Sequence, residues 1–265
     1  MSSMSLIQAL QSLVAKLERT FGRGLVSSAE TLRATPPVPL ALGHEAVDEL
    51  LDGGLAPGVH ELLGGPAVGK TTLACAWLAA AQRQGVLTAY LDVERGLQPG
   101  TLEMVGVDPR QLLLARPESA EQALALAGAL IDQGVGLVVL DTVAALLPTA
   151  EREQPLDKDP GPLLPRLLAR GLRQLAPQCA DAGARLLLVN QTRERGEDAE
   201  TSGPGGSAVA SHAHTRLVMT RTGWIGEAER PEGACLELRV LKRRGATPGG
   251  RAALGMRYGR GFEPA

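Results

Sequence analysis

The sequence has few aromatic side chains: Phe, Tyr and Trp together make up 2% of 265 residues. A core built from this chain must rest on Leu, Val and Ala, and the 44% of hydrophobic residues supplies them. Cysteine is scarce as well. Cys75, Cys179 and Cys235 are scattered with no paired spacing, which argues against a disulfide framework or a cysteine-based zinc site and leaves them as reduced core thiols. No apolar run approaches the ~20 residues of a membrane span. Met1 is not followed by a basic-then-apolar signal pattern, so the cytoplasm is the expected location, with no membrane partner. The net charge is only −2, so any attraction to nucleic acid must be local rather than global.

What is present has a clear order. Residues 5–21 place Leu6, Leu10, Leu13, Leu17 and Phe21 at helical spacing, which predicts an amphipathic helix whose apolar face needs cover from this core or from a neighbouring subunit. Thr35-Pro36-Pro37-Val38-Pro39 then forces an extended linker. Residues 1–40 therefore read as a tethered oligomerisation or partner element, and 41–265 as a core. From about residue 58, short apolar runs (58–63, 87–91, 112–115, 136–140, 185–189) alternate with helical segments (70–83, 119–133, 163–182). Ser119 and Gln122 form a capping-box pair that marks one helix start. Such alternation predicts an α/β fold, a mostly parallel sheet with helices on both faces. The last stretches, 215–221, 234–242 and 251–258, suit hairpins extending the same sheet.

Gly64-Gly65-Pro66-Ala67-Val68-Gly69-Lys70-Thr71, followed by Thr72, matches G-x-x-x-x-G-K-[ST] between a strand and a helix. Backbone N–H groups in such a loop, together with the helix N-terminus, surround phosphates with partial positive charge. Lys70 can reach the β/γ-phosphates and the Thr71 hydroxyl can ligate Mg²⁺. A glycine-rich turn without a ligand is the bland alternative, and the flanking strand and helix weigh against it. Leu137-Val138-Val139-Leu140-Asp141 is a buried run ending in a carboxylate at the ligand edge of a parallel sheet, near the expected metal. Asp92 or Glu94 could align a water there, and spacing does not choose between them. Asn190-Gln191 ends another strand at that edge.

These segments, with Tyr90–Glu94, Leu140–Leu146, Leu188–Arg193, Phe21–Gly24, Gly205-Gly206, Lys242–Arg244 and Tyr258–Gly261, resemble the motif series of the bacterial RecA recombinase family over about residues 5–262. The resemblance implies an ATPase using ATP and Mg²⁺. It makes Lys70 and Thr71 the nucleotide and metal ligands, Glu94 the general base, Asp141 the metal-site acid, and Gln191 the link between γ-phosphate and a DNA loop. It makes Lys242 and Arg244 cations that reach a neighbouring subunit's ATP, hence a homo-oligomer. Single-stranded DNA is implied at loops 152–165 and 192–206, with Arg166, Arg193 and Arg195 as phosphate contacts.

Departures from that pattern are also visible. The chain stops near residue 265, where the family normally continues. Thr101 stands at the adenine-stacking tyrosine position, and Ser211 at an interface phenylalanine. Pro36, Pro37 and Pro39 occupy a segment that should add as a strand to the next subunit, and acids balance the bases in both loops. By contrast, Arg239, Lys242, Arg243, Arg244, Arg251, Arg257 and Arg260 form either a basic stripe for DNA or the polar edge of hairpins. His212 and His214 read as surface histidines, Trp77 as packing, and Trp224 as a contact residue in a glycine-flanked turn. Two functions compete. One is a DNA-dependent ATPase that forms filaments and exchanges strands. The other, favoured by the departures, is an accessory paralog resembling the ImuA type, which binds a RecA-type recombinase or translesion polymerase subunits in the DNA-damage (SOS) response.

Overall fold

The apolar runs form the parallel half of one sheet. In the computed structural model, which describes residues 5–30, 38–155, 162–192, 203–227 and 229–263, the strands are β1 (Gly58–Gly64), β2 (Thr88–Asp92), β3 (Leu112–Ala115), β4 (Leu137–Asp141) and β5 (Arg185–Val189). Every residue of β1, β2, β4 and β5 is buried, which requires cover on both faces. β6 (Thr215–Glu227) continues the parallel set beside β1. The chain then reverses into antiparallel β7 (Arg230–Arg243), β8 (Arg251–Arg257) and β9 (Gly261–Glu263). The order is β3-β2-β4-β5-β1-β6-β7-β8-β9. The fold is the expected α/β architecture.

Alternation along the strands builds two cores. Leu137 and Val139 face a cluster with Leu73, Trp77 and Leu78 of helix α3 (Lys70–Arg83), whereas Val138 and Leu140 face a cluster with α5 (Ala120–Asp132) and α7 (Leu163–Asp181). Shorter helices α2 (Glu45–Leu50), α4 (Pro99–Val105), α6 (Thr149–Arg152) and α8 (Ser207–His212) sit in the connections. None of these four offers enough helical turns for a periodic pattern to stand out in sequence.

The chain separates into two units, Met1–Val38 and Pro39–Ala265. In the first, α1 (Leu6–Phe21) starts at a complete capping box: Ser5 Oγ accepts from Gln8 N–H and Gln8 Oε1 accepts from Ser5 N–H. Leu6, Ile7, Leu10, Leu13 and Phe21 are exposed. The capping pair expected at Ser119 is only half formed. Ser119 Oγ accepts from Gln122 N–H at 3.2 Å, but Gln122 Oε1 takes the N–H of Glu118 instead of that of Ser119. Pro36 and Pro37 lie outside the described residues.

Three minor readings change. Cys75 and Cys179 are buried, but Cys235 is exposed on β7, because it points away from the face that carries Ala234 and Leu236. Trp224 lies within β6 and not in a turn. Its neighbouring glycines mark register shifts, between Arg221 and Gly223 and between Ile225 and Gly226, and the hairpin runs on past them. His214 is half-buried, with its ring 5.8 Å from that of the buried His60. Trp77 is fully buried, as packing demands. Truncating it, Trp77→Ala, should cost about 3–5 kcal/mol of unfolding free energy, measured by urea denaturation. A loss below about 1 kcal/mol would mean the α3 cluster is not the main core.

Candidate nucleotide site

The site is assembled at one edge of the sheet because parallel strands deliver all their C-terminal ends there. β1 ends in Gly64, the first residue of the glycine-rich loop, and α3 begins at Lys70. The loop turns through two left-handed residues, Ala67 (φ 54°) and Gly69 (φ 100°). A side chain at Gly64 would put its Cβ 2.7 Å from the Met219 carbonyl of β6, so close strand packing requires the glycine. The Lys70 ammonium donates to the carbonyls of Gly64 and Gly65 at 3.0 and 2.7 Å. Burial lowers its pKa, while Asp141 and Glu94 oppose the shift.

Asp141 at the end of β4 is the hub. Its Oδ2 accepts 2.6 Å hydrogen bonds from the Thr71 hydroxyl and from the Tyr90 phenol. Its Oδ1 is buried with no hydrogen-bond partner among the described residues. Burial raises the Asp141 pKa, with the two hydroxyls opposing, and burial together with Asp141 raises that of Tyr90. The Thr71 hydrogen is committed to Asp141, which leaves its oxygen lone pairs for a cation. An orphaned carboxylate oxygen beside that hydroxyl suits a hydrated, oxygen-seeking ion such as Mg²⁺.

The structure separates the two acids that spacing left open. Asp92 is buried and committed: its Oδ1 accepts from Gly96 N–H at 2.9 Å and its Oδ2 pairs with Arg116 at 3.4 Å. Glu94 is exposed at the cleft and accepts from the Thr142 hydroxyl at 2.9 Å. Asn190 and Gln191 separate likewise. Asn190 is fully buried and donates to Glu61 and to the Pro204 carbonyl. Gln191 lines the cleft, which has a volume of about 550 Å³ and also contains Pro66 through Thr72, Glu94, Asp141, Met256 and Tyr258. Sequence reasoning missed Tyr258 and Met256 as cleft residues. They lie almost 200 residues downstream of the loop in sequence and reach it only because β8 and the turn after it fold back over α3.

Of the other expected site residues, Lys242 and Arg244 do not line this cleft. The Lys242 ammonium donates to the carbonyls of Ala210 and Ser211 at 2.7 and 3.1 Å, the C-terminal end of α8, and Arg244 approaches the His212 carbonyl at 3.5 Å. The basic stripe is divided: Arg243 pairs with Asp52, Arg251 with Glu237, and Arg257 with Glu232 and Glu263. Arg166 is exposed on the first turn of α7. Arg193 and Arg195 lie outside the described residues, as do parts of both loops, 156–161 and 193–202.

Residues 8–263 match the RecA N-terminal domain family. The chain belongs to the RecA family. It is similar to Protein RecA of Rubrobacter xylanophilus, at 33% identity over 263 residues, covering 96% of this chain and 76% of that protein. No helix among the described residues is long and apolar enough to cross a membrane.

Because burial raises the Asp141 pKa, its ionised form is penalised in the folded state. The sign follows: stability tied to this group increases as pH falls through the raised folded value and is lacking at neutral pH. Asp141→Asn should therefore raise the unfolding midpoint at neutral pH by on the order of 2–4 °C, the shift that about 1 kcal/mol gives a domain of this size. Mg²⁺-dependent nucleotide binding should be lost at the same time. A lowered midpoint in a thermal melt would refute this electrostatic account of the hub.

Proposed function

We propose that this chain binds and hydrolyses ATP with Mg²⁺, and that it acts in DNA repair as an accessory member of the RecA family regulating a recombinase filament or a translesion polymerase assembly. The observation that carries the nucleotide reading is the convergence of Lys70, Thr71, Asp141 and Glu94 on one cleft from three separate parts of the chain, the start of α3, the end of β4 and the turn after β2. Lys70 and the loop amides hold the β/γ-phosphates. Thr71 and Asp141 hold the metal, which supplies charge neutralisation on the phosphoryl oxygens when bound. Glu94, steadied by Thr142, orients a water and accepts its proton. Gln191 stands where it can sense the third phosphate. Met104 and Met256 line the same cleft, and with the half-exposed Tyr258 they give a flat apolar surface for a base, which bears on the Thr101 substitution.

Three observations support the accessory role: Ser211 in place of an interface phenylalanine, prolines in the segment preceding the core, and acids balancing the bases in loops 152–165 and 192–206. In this reading residues 1–40 form the partner or oligomerisation element. The second reading, a filament-forming recombinase that exchanges strands on single-stranded DNA, is favoured by the presence of Lys242 and Arg244, whose charges could serve a neighbour's ATP.

An ATPase assay with and without single-stranded DNA tests the core of the proposal. Lys70→Ala should lose nucleotide affinity by about tenfold or more. Glu94→Gln should keep it and lose at least ~100-fold in turnover. Turnover indifferent to both substitutions would refute the catalytic assignment. Efficient strand exchange by the purified chain would overturn the accessory role in favour of the recombinase.

A further inference from the structure

A second, smaller cleft of about 280 Å³ lies beside the nucleotide cleft and shares Met104 with it. Arg83, Arg260 and His44 line it, and no carboxylate does. Arg83 is the last residue of α3, the helix that starts in the phosphate loop. Its Nη2 would lie 3.0 Å from a Cβ at Gly43, so the glycine makes room for the guanidinium over the pocket floor. Arg260 follows Tyr258 and Gly259, which line the nucleotide cleft, so a single turn serves both clefts.

The acid that acts on His44 is already committed. Asp48 accepts from the backbone N–H groups of Leu42 at 2.6 Å and Gly43 at 3.1 Å, one oxygen to each. Among the described residues Arg83 and Arg260 form no ion pair, whereas Arg243, Arg251 and Arg257 of the same β region are all paired. The His44 ring packs edge-on to Phe262, with centroids 5.5 Å apart, which fixes its plane at the pocket wall. Burial lowers its pKa, and Arg83 adds to the shift while Asp48 opposes it. The pocket therefore offers two guanidinium groups rich in N–H donors, an imidazole able to donate one N–H, and no carboxylate.

We propose that this pocket is a binding site for a small oxyanion of the phosphate type, held by the guanidinium groups of Arg83 and Arg260 beside the His44 imidazole. Two convergent arginines recognise such a ligand through charge-assisted, bidentate hydrogen bonds. The site is distinct from the phosphate loop: Lys70 contributes nothing to it, and it stands whether or not the cleft next door takes ATP.

Histidine-labelled full-length chain, loaded with Mg²⁺ and ADP so that the phosphate loop is filled, is titrated with inorganic phosphate and followed by NMR. The His44 imidazole signals should move and saturate while those of His60 stay fixed. Arg83→Gln and Arg260→Gln should each weaken the response by about tenfold, the size expected for loss of one charged hydrogen-bonding group. Unmoved His44 signals, or an undiminished response in the double variant, would overturn the site. So would a response to a single-stranded oligonucleotide but not to free phosphate, since the ligand would then be a nucleic-acid backbone. The same titration on Lys70→Ala without nucleotide reads the pocket alone. A wild-type chain that fails to take ADP would then count against the proposed ATPase and leave this test standing.

Discussion

The carboxylate of Asp141 is the constraint around which the nucleotide cleft is organised. A charge-bearing group at the end of an entirely buried strand costs free energy unless hydrogen bonds satisfy it. Here two hydroxyls from different elements meet one of its oxygens, Thr71 from the first turn of α3 and Tyr90 from β2. That double acceptance ties the helix of the phosphate loop to two neighbouring strands. The second oxygen is left without a partner among the described residues. The fold therefore tolerates an unsatisfied atom where a cation would complete the coordination, the kind of exception that marks functional positions in otherwise satisfied cores.

Most of the architecture was legible because the physics that shapes it is local. Runs such as Leu137–Leu140 are apolar at every position, short and rich in valine, which suits a strand covered on both faces, and α3, α5 and α7 are long enough for their helical pattern to register. The phosphate loop was legible for the same reason, being one contiguous stretch. What escaped the sequence reading depends on contacts between distant residues. Asp92 and Glu94 look alike in sequence, and only the turn at Gly96 and the reach of Arg116 commit the first to structure. Tyr258 reaches the cleft through antiparallel β7 and β8, whose registers no local pattern encodes. The basic run near the C-terminus looked uniform until Asp52, Glu232, Glu237 and Glu263 were brought against it by the hairpins.

The same logic distinguishes support from chemistry among polar residues. Glu61 in the middle of β1, Asn190 just after β5 and Arg216 near the start of β6 form a largely buried set with bonds of 2.6 and 2.8 Å, which ties these three strands together without entering the cleft. Gln191 and Glu94, one or two positions beyond buried polar residues, are left facing the opening. In each case the inner residue is held by several partners and its neighbour is left free to meet a ligand.

The grip of Lys242 on the end of α8 implies a choice between two engagements. One ammonium group bridges two amide oxygens of the short helix that follows the second loop. Should another copy present a triphosphate to that lysine, the anion would outcompete neutral carbonyls, because a full negative charge adds a Coulomb attraction that a carbonyl dipole lacks. The helix would then lose its clasp at the moment the subunits join. Stiffness behind that loop and reach across a subunit boundary would be mutually exclusive, each set by where a single positive charge spends its time.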